Sequence, residues 1–183
     1  MPITRFPRPA VQTDVMKNAA ARAQFAKGDM LTVARVGLAV AVRVGAPRSN
    51  ISTTEALKQT LLNAGAIASI PASATGTQLA AVYEVLGIAD EMKGKTKAQP
   101  NPAQIIDTVA RGEADLAVFL LNVHTDPRLD VVGPFPAAVQ REVVYTTALC
   151  VDAKEPQLAQ ALIAYLLSPA ASAIIKANGM TPG

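Results

Sequence analysis

Tryptophan is absent from this sequence, and aromatic residues make up only 4% of it. No aromatic stacking platform for nucleic acid is available, and the core must be assembled from Ala, Val, Leu and Ile. Cys150 is the sole cysteine, so no internal disulfide can form. It sits in the apolar run Ala148-Leu149-Cys150-Val151, where a small buried hydrophobe is expected rather than a nucleophile. His124 is the sole histidine, and with no cysteine near it a metal site is not expected. Ser-His-Asp chemistry would need His124 as base, and no nucleophile-elbow motif exists. Glu113 and Asp115 flank a turn without a catalytic partner. Neither enzymatic activity nor a cofactor is expected.

Charge is also scarce. Charged residues are 17% of the chain and the net charge is +3. Lys93, Lys95 and Lys97 are the nearest approach to a basic cluster, and a solvated surface accounts for them, so no nucleic-acid partner is expected. The mild positive balance would still attract a small anion. No apolar run reaches the roughly 18 residues of a membrane span. The run from Val36 to Val44 is too short and contains Arg43. The segment from Met1 to Pro9 has no apolar core of a secretory signal, so none is expected there.

What is present is an apolar half, patterned as alternating strands and helices. A first helix is expected across residues 10–26, carrying Val11, Val15 and Met16. Residues 31–44 read as one long strand rich in Val and Leu. Ser52-Thr53-Thr54-Glu55 has the form of a capping box opening a helix to Asn63, with Gly65 as its stop. Residues 65–70 read as a short buried strand. A helix then carries Leu79, Val82, Tyr83 and Leu86 on one face and closes at Gly87. Residues 94–99 form a weak strand. Asn101 and Pro102 open a helix with Ile105, Ile106 and Val109 on its apolar face. Residues 114–123 have the look of a strand covered on both faces. Val131, Val132 and Gly133 are an edge element, and residues 139–151 a second long strand. Leu158, Leu162, Tyr165 and Leu166 line a C-terminal helix, and Ser168-Pro169 restarts another ending at Asn178-Gly179. Largely parallel pairing is expected.

The segment with the look of a binding site is Pro71 to Thr77. It leaves a strand, contains only small residues and opens a helix. Unpaired amides at a helix N-terminus, with the helix dipole behind them, favour an anion. An ordinary strand-to-helix turn has the same pattern. The Gly-Lys-Ser/Thr ending of a phosphate-binding Walker loop is missing. Tyr145, inside the second long strand, can point into a cleft or pack in the core.

Several segments together resemble the molybdate-type substrate-binding proteins of ABC transporters, within the type 2 periplasmic-binding fold. They are LTVARVGLAVAVRVGAP, ISTTEALKQTLLNAGAIASI, PASATGTQLAAVYEVLGI, IIDTVARGEADLAVF, DVVGPFP and LIAYLLSPAASAIIKANGM, spread over residues 28–183. The resemblance implies two α/β lobes joined by two crossing strands. It assigns residues 1–64 and 136–183 to a first lobe and 65–135 to an inserted β-α-β-α-β lobe. It implies a solute-binding protein holding a small anion, oxyanion or organic acid, between the lobes. The matching ligand positions are Ser73, Ala74, Thr75 and Gly76 on the loop, backbone near Phe119, and Tyr145 on the returning strand. An ABC permease is the implied partner and the periplasm the implied location, or the cytoplasm if Met1 is the true start. The family's opening strand-helix-strand segment has no counterpart here, so the first lobe is expected to be incomplete and to form a homodimer. A degenerate binding fold acting as a self-associating or interaction protein is the alternative.

Overall fold

A computed structural model of the chain describes residues 11–12, 22–25 and 30–183. Its strands are β1 (Val11–Gln12), β2 (Leu31–Arg43), β3 (Ile67–Ser69), β4 (Thr96–Ala98), β5 (Leu116–Leu120), β6 (Leu129–Pro134), β7 (Glu142–Thr147) and β8 (Thr181–Pro182). Its helices are α1 (Thr54–Asn63), α2 (Ala74–Leu86), α3 (Ala89–Lys95), α4 (Pro102–Ala110), α5 (Pro156–Leu166) and α6 (Pro169–Ala177). The chain forms two compact units. An inserted unit spans residues 36–142, and a terminal unit combines residues 1–35 with 143–183. The lobes expected from the sequence divided at 64/65 and 135/136 instead. Residues 36–64 group with the inserted unit because β2 is laddered there to β5 and β6.

In the inserted unit β2 lies between β6 and β5, and β3 and β4 continue the sheet beyond β5. Leu38 faces Leu120 and Ala41 faces Ala117 across the antiparallel β2–β5 ladder. β3 runs parallel to both β4 and β5. The sheet is therefore mixed, not largely parallel as the alternation suggested. Helical crossovers impose parallel pairing only on β3, β4 and β5, whereas β2 and β6 are not joined to their neighbours by such crossovers and pair antiparallel. Residues Leu38 to Val42 and the whole of β5 are buried, as expected for strands covered on both faces. Leu57 and Leu61 of α1, Leu79, Val82 and Leu86 of α2, and Ile105 and Val109 of α4 complete the core.

Local chemistry explains the ends of α1 to α4. Thr53, not Ser52, caps α1: its hydroxyl accepts from the Ala56 amide at 3.1 Å. Ser52 is diverted by Asn50, whose Oδ1 takes both its hydroxyl and its amide. α1 ends at an extended Ala64 rather than at Gly65, and the Asp115 carboxylate accepts from the Gly65 amide at 2.7 Å. The ammonium of Lys95 donates to the carbonyls of Leu62 and Ala64 at that end. α3, absent from the sequence reading, has Asp90 and Glu91 in its first turn and Lys93 and Lys95 in its last, the order the helix dipole favours. It shortens the strand expected at 94–99 to β4. Asn101 caps α4 as expected, and Gly87 closes α2 at φ 65°.

In the terminal unit β1 pairs antiparallel with β7, and β8 with the first part of β2. The helix expected across 10–26 is thus a strand at Val11 and Gln12, and most of its remainder lies outside the described residues. Val33, Ala34 and Ile175 form a small core with Leu166 and Met180 against it. Ser168 caps α6. α5 forms as expected, but of its expected core stripe only Leu166 packs inward: Leu158 is 70% exposed, Leu162 45% and Tyr165 52%. Cys150 is half-buried and bridges to Phe25 instead of continuing a strand. The second long strand, expected over 139–151, is confined to β7. Among the described residues no single helix is long and apolar enough to cross a membrane.

Candidate functional site

Parallel β3, β4 and β5 present their carboxyl ends along one edge of the inserted sheet. Open α/β sheets commonly take ligands at such an edge. β3 leads through Ile70, Pro71 and Ala72 into α2, β4 leads to the Asn101 cap of α4, and β5 leads into a 3-10 turn at Leu121–Val123.

The β3–α2 turn is tightly specified. Ser73 is the N-cap in extended conformation, φ −121° and ψ 165°. Its hydroxyl accepts from the Gly76 amide at 2.9 Å and donates to the Ile70 carbonyl at 2.7 Å. Its carbonyl accepts from Thr77. The amides of Ala74 and Thr75 are left, by their place in the first turn, with no partner in the structure. Gly76 is small for a reason internal to the turn: a Cβ there would sit on the carbonyl oxygens of Ile70 and Pro71. Thr75 and Gly76 are buried, while Ser73 and Ala74 are half-buried.

Phe119 lies beyond the part of β5 that pairs with β3, which ends at Ala117, and faces Ala39 across the β2 ladder. It shares the carboxyl edge with the Ser73 turn, its ring 7% exposed. Tyr145 is half-buried on β7, in register with Gln12, and belongs to the terminal unit rather than with the other five candidates.

An open depression of about 550 Å³ is lined by Gln78, Ala137, Gln140, Arg141 and Glu142. Gln78 stands one turn beyond Ala74 on α2. A second, of about 340 Å³, lies among Ser49 to Ser52, Val132 to Pro134 and Pro136. None of the sequence candidates lines either one. Gln78, Gln140 and Arg141 escaped the sequence reading because Gln140 and Arg141 look like ordinary residues of a long strand. Only their place beside β2 distinguishes them.

The unit also buries polar atoms without hydrogen bonds: Ser69 Oγ, Tyr83 Oη, Asn122 Oδ1 and both ring nitrogens of His124. Burial raises the Tyr83 pKa and lowers that of His124 to about 4, the nearby Ala39 backbone offsetting the latter slightly. His124 is therefore neutral at ordinary pH. No group of three or more His, Cys, Asp or Glu that could hold a metal ion occurs among the described residues.

The sequence model of the bacterial extracellular solute-binding protein family matches residues 10–181. The chain belongs to that family. The solute-binding chain is also 34% identical over 164 residues to an aconitate isomerase of a Pseudomonas species. That match takes in 88% of the chain and 62% of the relative, so the chain spans less than two thirds of the relative's length. In fold it is similar to the substrate-binding domain assigned to a molybdenum ABC transporter of Clostridium difficile, with a TM-score of 0.75 at 16% identity over 98% of this chain and 79% of that one. The periplasmic molybdate-binding protein of Azotobacter vinelandii superposes with a TM-score of 0.69 at 19% identity, covering 98% and 80%. The fold is thus the type 2 periplasmic-binding α/β fold.

Proposed function

We propose that the chain binds a small organic acid, with one carboxylate on the free amides of Ala74 and Thr75. The observation carrying this reading is the Ser73 cap. It satisfies Gly76 and leaves two amides at the positive end of a 13-residue helix, in a member of a solute-binding family. The relative named for aconitate favours an organic acid over a metal oxyanion. Phe119 supplies backbone and an apolar wall at the same edge. Arg141, whose guanidinium has no ion-pair partner among the described residues, offers a counter-charge. An ABC permease is the proposed partner. The exposed Leu158, Leu162 and Tyr165 of α5 make self-association of the chain the accompanying proposal.

A thermal-shift series with aconitate, citrate and molybdate tests the ligand class. At a hundredfold excess over Kd, binding contributes about 2.7 kcal/mol, a rise in Tm of roughly 5–10 °C at this length. A rise with the organic acids and none with molybdate is expected. A rise with molybdate alone would return the site to oxyanions. The same relative supports a second reading, in which the bound acid is isomerised. Proton NMR of aconitate incubated with the protein separates the two, since binding alone leaves the cis and trans proportions at their uncatalysed rate of change.

A further inference from the structure

The two units are joined by two chain crossings, Arg35–Val36 within β2 and Glu142–Val143 at the start of β7. Two compact bodies so connected bend at the few residues between them unless something stiffens the connections. Just inside the inserted unit, next to both crossings, the Gln140 side chain lies against β2. Its Oε1 accepts from the Leu38 amide at 2.9 Å and from the Arg141 amide at 3.0 Å. Its Nε2 donates to the Leu38 carbonyl at 3.0 Å and to the Phe135 carbonyl at 3.4 Å. The Leu38 amide is shared with the Arg141 carbonyl at 3.2 Å. The side-chain amide therefore does for Leu38 what a neighbouring strand residue does elsewhere along β2. It fills the interval between β6, which ends at Pro134, and β7, which begins at Glu142.

Gly37 makes room for it. A Cβ at Gly37 would stand 2.7 Å from Gln140 Nε2 and 2.8 Å from its Cδ, inside any ordinary contact. Gly37 has no positive φ, so what it provides is space and not a special backbone conformation. Residue 37 and residue 140 thus form a matched pair, one short enough and one long enough to staple two segments that are distant in sequence.

We propose that Gln140 is a positioning residue that ties the chain before the second crossing to β2 and confines bending between the units to Arg35–Val36 and Glu142–Val143. The staple also fixes the backbone of Arg141, so the wall of the larger depression is held with it. This inference does not depend on the ligand: it concerns how the connections move, with the site empty or filled.

The test uses the full chain with Cys150→Ser and spin labels on Glu84→Cys and Lys154→Cys, both exposed and on different units. Pulsed electron resonance gives the distance distribution between them. Gln140→Met, which keeps length and loses the amide, is expected to widen the distribution at least twofold and to speed exchange of the Leu38 amide at least tenfold. Gln140→Glu keeps the accepted bonds and loses the donated ones, and should fall between. Gly37→Ala displaces the side chain from the opposite direction and should widen the distribution as Gln140→Met does, which keeps the question answerable if one variant folds poorly. Val109→Ala, a buried change in α4, controls for lost stability alone. Unchanged widths in the Gln140 and Gly37 variants, or equal widening in Val109→Ala, would overturn the proposal.

Discussion

Removing the Ser73 hydroxyl separates what the β3–α2 turn does for the fold from what it does for a ligand. Ser73→Ala loses the cap on the Gly76 amide, worth about 1 kcal/mol. It also strips the Ile70 carbonyl, on a buried residue, of its donor, for about another 1 kcal/mol. Urea unfolding should show a loss of about 2 kcal/mol, and the Tm should fall by roughly 4–8 °C. Ser73→Asp keeps an acceptor for Gly76 and suits the helix dipole, so its loss should be about half as large. An anion at the Ala74 and Thr75 amides meets the opposite response. A carboxylate about 4 Å away costs roughly 1–4 kcal/mol depending on screening, so calorimetry should record organic-acid affinity falling about a hundredfold. The more stable variant should be the weaker binder. Equal affinity in Ser73→Asp and the parent protein would mean that no anion sits on these amides. Equal stability of Ser73→Ala and the parent would mean that the hydrogen bonds of the turn contribute nothing net.

Gly76→Ala should cost about 3 kcal/mol in urea unfolding, because its Cβ must displace the Ile70 and Pro71 carbonyls. His124 has a folded-state pKa of about 4 against 6.5 unfolded, so the unfolded state takes up the proton first as pH falls. Stability should be full above pH 6.5, decline by about 3 kcal/mol down to pH 4 and not fall further from this group below that; in His124→Phe the decline over that window should largely vanish. Sedimentation equilibrium at micromolar concentration should find a species heavier than the 19.0 kDa chain, reverting to that mass in Leu158→Glu with Tyr165→Glu.

The inserted unit was largely legible because its signals are local. The stripe Leu79, Val82, Tyr83 and Leu86 is buried on α2, Asn101 caps α4, and β5 is covered on both faces. Errors arose where a distant group supplied the deciding interaction. Asn50 moved the α1 cap by one residue, and the Gln140 side chain replaced strand pairing at the start of the supposed long strand. The α5 stripe was read correctly as helical but not as exposed, since periodicity identifies an apolar face and not what covers it. Of the candidate site, the Ser73 turn was visible from its small residues and helix-opening position. The reason for Gly76, the two carbonyls beneath it, is a packing fact with no local signal. Arg141 and Gln78 carry no local pattern, because their approach depends on the path of residues 135–142 past β2.

The tie between Leu38 and Gln140 has an evolutionary consequence. It brings the entry and exit of residues 36–142 to within one hydrogen bond of each other, 2.9 Å from amide to side-chain oxygen. A segment whose ends meet can be grafted into a surface loop of another protein without stretching its host, as insertions at closely spaced termini generally are tolerated. The inserted unit therefore has the geometry of a transferable cassette. A lineage could exchange it whole, carrying the Ser73 turn into a new terminal unit, without redesigning either sheet.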